Sequence, residues 1–217
     1  AQGLTRIGRM AGRRCAAVIT DMDQPLGYAV GNALEVKEAI AVLKGEQGGD
    51  LLELCLTLGG CMLTEAGIAG STGEAREMLE RSIKDGSALK KLSLMVTAQH
   101  GCGEDVYDTS RLPAAPVQHE LVARRGGYVS RIEAEKVGLV SMHLGGGRAT
   151  KDSEIDLSVG LVLHKKLGDR VEPGESLATI HAGNQEKALE AAAMLADCFS
   201  FSDEAVTRES FIKSTLQ

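Results

Sequence analysis

The residues Cys15-Ala-Ala-Val-Ile-Thr20 form a short, unbroken apolar run with three β-branched side chains at its end. Such a run reads as a buried strand of a parallel sheet. A buried strand must place its amides and carbonyls on neighbouring strands. From residue 21 to residue 112 the apolar spacing is helical, and no second buried strand stands out. The run is therefore expected to be the edge of a sheet whose other members lie outside this sequence. The helix before it points the same way: Leu4, Ile7 and Ala11 share a face and Gly12 stops it, but no Ser, Thr or Asp caps its start. On this reading the chain is the C-terminal part of a longer α/β enzyme.

Helical signals dominate the segment after the strand. Asp21-Met-Asp-Gln-Pro-Leu-Gly27 reads as a turn-rich loop. Asn32-Ala-Leu-Glu35 has the form of a capping box, with Val36, Ile40 and Leu43 as the apolar stripe behind it. Leu51, Leu54, Cys55, Leu58 and Met62 mark a second helix. Ser71-Thr-Gly-Glu74 caps a third that carries Ala75, Met78, Leu79 and Ile83, and residues 87–99 form a fourth. These stripes are expected to pack helix on helix.

Composition changes at Leu112-Pro-Ala-Ala-Pro116, a stiff connector that suits a domain boundary. Beyond it the period falls towards two. Strands are expected over 128–133, 137–143, 155–163 and 177–181, parted by turns at Gly145-Gly-Gly147, Gly168-Asp169 and Pro173-Gly174. An Ala-rich helix follows over 185–198, and the last twenty residues are weakly patterned. The predicted class is thus α/β plus α+β. Residues 1–112 end a large α/β domain, mostly helices with one buried strand, and 113–217 form a β-rich α+β domain.

Charge and composition exclude several functions. With 24 basic against 30 acidic residues and 3% aromatics, the chain lacks the basic stripe and stacking platforms of a nucleic-acid binder. No apolar run approaches the roughly 20 residues of a membrane span. Five scattered cysteines without a C-x-x-C pair argue against zinc and for a reducing, cytoplasmic setting. The five histidines show no metal-ligand spacing.

Read as one string, Asp21-Met-Asp-Gln-Pro-Leu-Gly-Tyr-Ala-Val-Gly-Asn-Ala-Leu-Glu-Val-Lys-Glu38 closely resembles a segment of the pyrimidine-nucleoside and thymidine phosphorylases. The likeness continues in Leu54-Cys-Leu-Thr-Leu-Gly59, Asp85-Gly-Ser-Ala-Leu89 and Ala98-Gln99. It resumes in Gly127-Tyr-Val129, Leu144-Gly-Gly-Gly-Arg-Ala-Thr-Lys151, Ile155-Asp-Leu-Ser-Val-Gly160 and Gly168-Asp169. The resemblance implies an all-α domain, a large α/β domain and a C-terminal α+β domain in a homodimer of about twice this length. It implies reversible phosphorolysis, in which phosphate attacks the anomeric carbon of a pyrimidine nucleoside to give free base and (deoxy)ribose 1-phosphate. Charge develops on sugar and base, so cationic donors and exclusion of water are needed. The family's phosphate-binding and base-binding residues precede the segment that matches here. No catalytic or substrate-binding residue is carried over, and the chain alone is expected to be inactive.

The family's structural potassium ion does reach this segment. By motif position its ligands match Leu26, Ala29 and Glu35, oxygen donors suited to a hard monovalent cation; the plainer role of Glu35 is to cap its helix. Asp21 and Asp23 face one side of an extended segment, yet loop solvation or capping explains them without acid–base work. Leu144-Gly-Gly-Gly-Arg148 either cradles an anion or is a tight inter-strand loop. Residues 160–180 also resemble the barrel-sandwich hammerhead hairpins of biotinyl and lipoyl carriers, although Lys165 and Lys166 lack the Met usual beside a modified lysine. A carrier module and a non-catalytic structural paralogue are the alternatives to a phosphorylase.

Overall fold

A computed structural model describes residues 1–148 and 150–216. Ala149 of the Leu144–Lys151 string and the terminal Gln217 lie outside the described residues. The elements are α1 (Gln2–Met10), β1 (Ala17–Thr20), β2 (Ala29–Val30), α2 (Asn32–Leu43), α3 (Asp50–Glu65), α4 (Thr72–Lys84) and α5 (Ser87–Ala98). Then come β3 (Val117–Val122), β4 (Gly127–Ile132), α6 (Ala134–Ser141), β5 (Gly160–Leu163), β6 (Arg170–Val171), β7 (Ser176–Ala182), α7 (Gln185–Ala196), β8 (Phe199–Ser202) and β9 (Ile212–Leu216). Contacts divide them into two compact units that interleave along the sequence. The first holds residues 1–21, 40–106 and 210–217; the second holds 22–39 and 107–209. The chain passes between units after Val106, and also around the 22–39 segment, in addition to any boundary near Pro113.

In the first unit, β1 has a partner in this chain, contrary to the expected orphan. It pairs antiparallel with β9, Ala17 facing Leu216 and Ile19 facing Ser214, and among the described residues no strand lines its other side. Nor is it deeply buried: Ile19 is exposed. A short apolar run cannot by itself distinguish a two-stranded ribbon from a parallel core strand, and the partner lay in the weakly patterned tail. The helices fall where the periodicity put them, but their stripes do not all face inward. Ala75 is fully buried on α4 and Leu56, Gly60 and Cys61 on α3, whereas Leu4 and Ile7 of α1 and Met62 of α3 are more than half exposed. The Ser71 cap holds: its Oγ accepts from Glu74 N at 3.2 Å, and the Glu74 carboxylate takes Gly70 N at 2.8 Å.

The second unit contains two antiparallel sheets, in the orders β2-β5-β7-β3 and β6-β4-β8. Its core gathers Val129, Ile132, Val137, Val140, Leu161, Leu163, Ile180 and Leu195. Strand β7 lies between β5 and β3 and buries Leu177 through Ile180 without a break. α7 packs on β3 and β7 through Ala188, Ala191 and Leu195, spaced at one helical face. Asn184 caps α7 by accepting Lys187 N at 2.9 Å.

Three expected strands need correction. Residues 137–143 are helical: Val137, Val140 and Leu144 are buried at successive spacings of three and four, a helical period read as a continuous run. Of 155–163 only Gly160–Leu163 is strand. β4 does not alternate simply, since Val129 and Ile132 are both buried. A register shift against β8 between Val129 and Arg131 inserts one residue and restores the inward face, as a β-bulge does. The mixture of helix and antiparallel sheet agrees with the expected class at that coarse level.

Candidate functional site

The Asp21–Glu38 string folds as a loop, a two-residue strand and a helix. Pro25 removes one amide from the loop; β2 then pairs Ala29 with Val162 and Val30 with Leu161 on β5. Gly31 turns the chain with φ 149°, and α2 begins at Asn32. The capping box is displaced by one residue. Glu35 N donates to Gly31 O at 2.8 Å, and the Glu35 carboxylate accepts Gly31 N at 3.0 Å. Asn32 instead sends its side-chain amide to Gly146 O at 2.9 Å.

One turn further along α2, Glu38 holds the loop itself. Its buried carboxylate accepts Tyr28 N at 2.7 Å and Ala29 N at 2.9 Å. These are charge-assisted bonds to successive amides of the loop. Glu35, by contrast, is exposed. Gly27 lies against the Glu38 carboxylate, where a β-carbon would come within 2.3 Å of Oε2.

The loop's carbonyls face a second charged side chain. Lys166, just beyond β5, is 4% exposed. Its ammonium donates to Pro25 O, to Gly27 O at 2.9 Å and, more distantly, to Leu26 O at 3.4 Å. It also stands 5.3 Å from the centre of the Tyr28 ring. The neighbouring backbone is tied to the same loop, with Leu167 N donating to Gln24 Oε1 at 3.0 Å. Asp169 fixes Lys166 from behind by accepting its amide at 2.7 Å.

Of the residues expected to hold a cation, Leu26 lies in the loop with its carbonyl 3.4 Å from the Lys166 ammonium, Ala29 opens β2, and the Glu35 carboxylate accepts Gly31 N. The sequence reading missed Glu38 and Lys166. Glu38 closes the quoted string and sits three residues after Glu35, so the helical period held the signal. Lys166 carried none locally, since it lies 140 residues from Leu26.

The other candidates have structural partners. Asp21 pairs with Lys213 at 3.5 Å, and the Asp23 carbonyl accepts Ala134 N at 3.4 Å. In the glycine loop, Gly145 adopts φ 111°, and the carbonyls of Gly145 and Gly146 accept from Asp156 N and Asn32. His143 meets Glu190 at 3.0 Å, and His164 meets Thr179 at 2.7 Å. Among the described residues no three His, Cys, Asp or Glu side chains are grouped to hold a metal. A cleft of about 570 Å³ beside the loop is lined by Asp23, Glu133 and Glu135 against the one guanidinium of Arg131, the wrong sign for an anionic substrate. No described helix is long and apolar enough to cross a membrane.

Comparison with known proteins places both halves. Residues 1–89 match the glycosyl transferase family a/b domain, and residues 128–202 match the pyrimidine nucleoside phosphorylase C-terminal domain. A pyrimidine-nucleoside phosphorylase of Geobacillus stearothermophilus is 54% identical over 186 residues, covering 86% of this chain and 43% of that protein. One from Bacillus subtilis is 49% identical over 205 residues, covering 94% and 47%. One from Staphylococcus epidermidis is 49% identical over 186 residues, covering 86% and 43%. The chain thus spans less than half the length of these curated relatives.

Proposed function

The chain belongs to the pyrimidine-nucleoside phosphorylase family, and from that premise we propose that it serves, as part of a longer enzyme, the phosphorolysis of pyrimidine nucleosides. Phosphate is the co-substrate, and the products are free base and (deoxy)ribose 1-phosphate. The observation that carries this reading is identity near one half across most of the chain, with the Asp21–Glu38 string inside the matched a/b domain. Uridine and thymidine are both candidate substrates, in a cytoplasmic homodimer. The β-rich unit, with its two antiparallel sheets, suits a barrel-sandwich of hammerhead type.

These residues contribute position rather than chemistry. None of the described clusters offers the cationic surround that a phosphate and a departing base require. The loop from Gln24 to Ala29 is instead held in one shape by Glu38 on its amides and Lys166 on its carbonyls. A potassium ion at Leu26 and Ala29 belongs to the same reading. Two backbone carbonyls and a carboxylate fit a hard monovalent cation. Glu35 is the carboxylate implied by motif position, but Glu38 is the one bonded to Ala29 N. When bound, such an ion would add coordination that stiffens the loop.

The test is release of uracil and thymine from uridine and thymidine with inorganic phosphate. It compares the 217-residue chain with a longer protein carrying the relatives' N-terminal half. Phosphate-dependent base release by the longer protein alone is expected. Ordinary turnover by the 217 residues would overturn the assignment of catalysis to residues elsewhere, and a longer protein inert on both nucleosides would favour a non-catalytic paralogue. A carrier role would show as a biotinyl or lipoyl increment in the intact mass.

A further inference from the structure

Three consecutive carbonyls, those of Pro25, Leu26 and Gly27, turn towards one point, and the Lys166 ammonium occupies it. Consecutive carbonyls of an extended segment point alternately to opposite sides. Their convergence here therefore requires the turn that Pro25 begins and that Gly27 permits beside Glu38. Backbone carbonyls brought together in this way repel one another unless a cation lies between them. In many loops that cation is a free ion from solvent. Here it arrives on a side chain whose stem is buried and whose own amide is anchored by Asp169. The Tyr28 ring adds its electron-rich face from a further side. On the amide side of the same loop Glu38 supplies the opposite charge.

We propose that Lys166 is a positioning residue acting as a tethered monovalent cation: its ammonium fills the Pro25–Leu26–Gly27 carbonyl cradle, and the cradle accepts free ammonium or potassium when the lysine is removed. The inference concerns the chain's own loop and does not rest on the activity proposed above. The potassium proposed at Leu26 and Ala29 would share the Leu26 carbonyl, so the wild-type response to the same salts is the baseline.

The test compares wild type, Lys166→Ala and Lys166→Met as full chains by thermal unfolding. Each is measured in ammonium, potassium and tetramethylammonium chloride at one ionic strength. Lys166→Ala opens the cradle to solvent; Lys166→Met fills the stem's space with an uncharged group. The expected result is a lowered Tm for both variants in tetramethylammonium, with at least half the deficit of Lys166→Ala recovered in ammonium or potassium. The deficit of Lys166→Met should stay the same in every salt. An Ala deficit equal in all three salts would overturn the proposal, because the lysine would then act through its stem alone; so would no deficit at all. Should Lys166→Ala fail to fold, nitrogen-15 NMR of the wild-type ammonium decides. Slowly exchanging Nζ protons are expected of a group seated on carbonyls, and a freely exchanging ammonium would refute the seat. A wild type indifferent to potassium would count only against the ion of the preceding section.

Discussion

Gly31 and Gly160 meet backbone to backbone. A β-carbon on Gly160 would lie 2.3 Å from Val30 O and 2.9 Å from the Gly31 Cα, and one on Gly31 would lie 2.5 Å from Val159 O. Both residues also hold φ near +150°, where side chains other than hydrogen are strained. The contact sets how closely β2 approaches β5. Gly160→Ala should cost about 3 kcal/mol or more, read as a lower urea midpoint with an unchanged m-value. A loss under about 1 kcal/mol would show that the two segments can part without consequence.

Gly27 and Glu38 are one device. Gly27→Ala would push against a carboxylate already bonded to two amides, and Glu38→Ala would leave those amides without it. Each change should cost about 1–3 kcal/mol. Because both remove the same grip, the double variant should fall short of the sum by about 1 kcal/mol. Additive losses in a double-mutant cycle would separate the two residues.

The two α2 carboxylates should differ. Glu35→Ala removes one part-buried bond to Gly31 N and should cost about 0.5–1 kcal/mol, as for an ordinary cap. Glu38→Gln keeps the shape but loses the buried charge and should cost about 1.5–3 kcal/mol. Equal losses in denaturant titrations would remove the distinction drawn between them.

Among the described residues, Glu120 on β3 is one of five carboxyls held low, with Glu53, Asp85, Asp156 and Glu175, and should contribute to acid sensitivity. Burial alone would raise its carboxyl, but the hydroxyls of Ser176 and Thr179 donate to it and, with His164 and His119 nearby, hold it below the ordinary carboxylate range. A carboxyl lower in the folded than in the unfolded chain stabilises the fold fully above its unfolded value. That contribution is lost as pH falls through the folded value. Glu120→Gln should therefore lose about 0.5–1 kcal/mol at pH 7 and converge with wild type in strong acid. Parallel stability curves down to that limit would contradict the assignment.

Thiol reactivity should split by burial. Burial pushes the Cys198 thiol up to about 11, leaving about one molecule in a thousand as thiolate at pH 8. Cys102 is exposed, while Cys61 is buried like Cys198. Iodoacetamide at pH 8 should label Cys102 rapidly and leave Cys198 and Cys61 unmodified until the chain unfolds, as read by peptide mass spectrometry.

Much of this was legible in local spacing. The Ser71 cap, the Gly12 stop and the Ala188–Leu195 face depend on neighbours within two turns, which the sequence displays directly. What escaped depends on distance. The partner of β1 lies near residue 214, the bulge at Ser130 hides a buried face behind broken alternation, and Lys166 reaches carbonyls far back along the chain. Glu38 was readable in principle: its period matched Glu35, but only the path of the loop decides which carboxylate meets Ala29.

The interleaving of the two units has a practical consequence. The backbone crosses from one to the other four times, after residues 21, 39, 106 and 209, so no single proteolytic nick can release either. A piece excised at Pro113 would leave β2 behind, and with it the proline and glycine oxygens that Lys166 grips. Dissection of this polypeptide by scissors at the apparent linker would therefore yield a half with a missing rung.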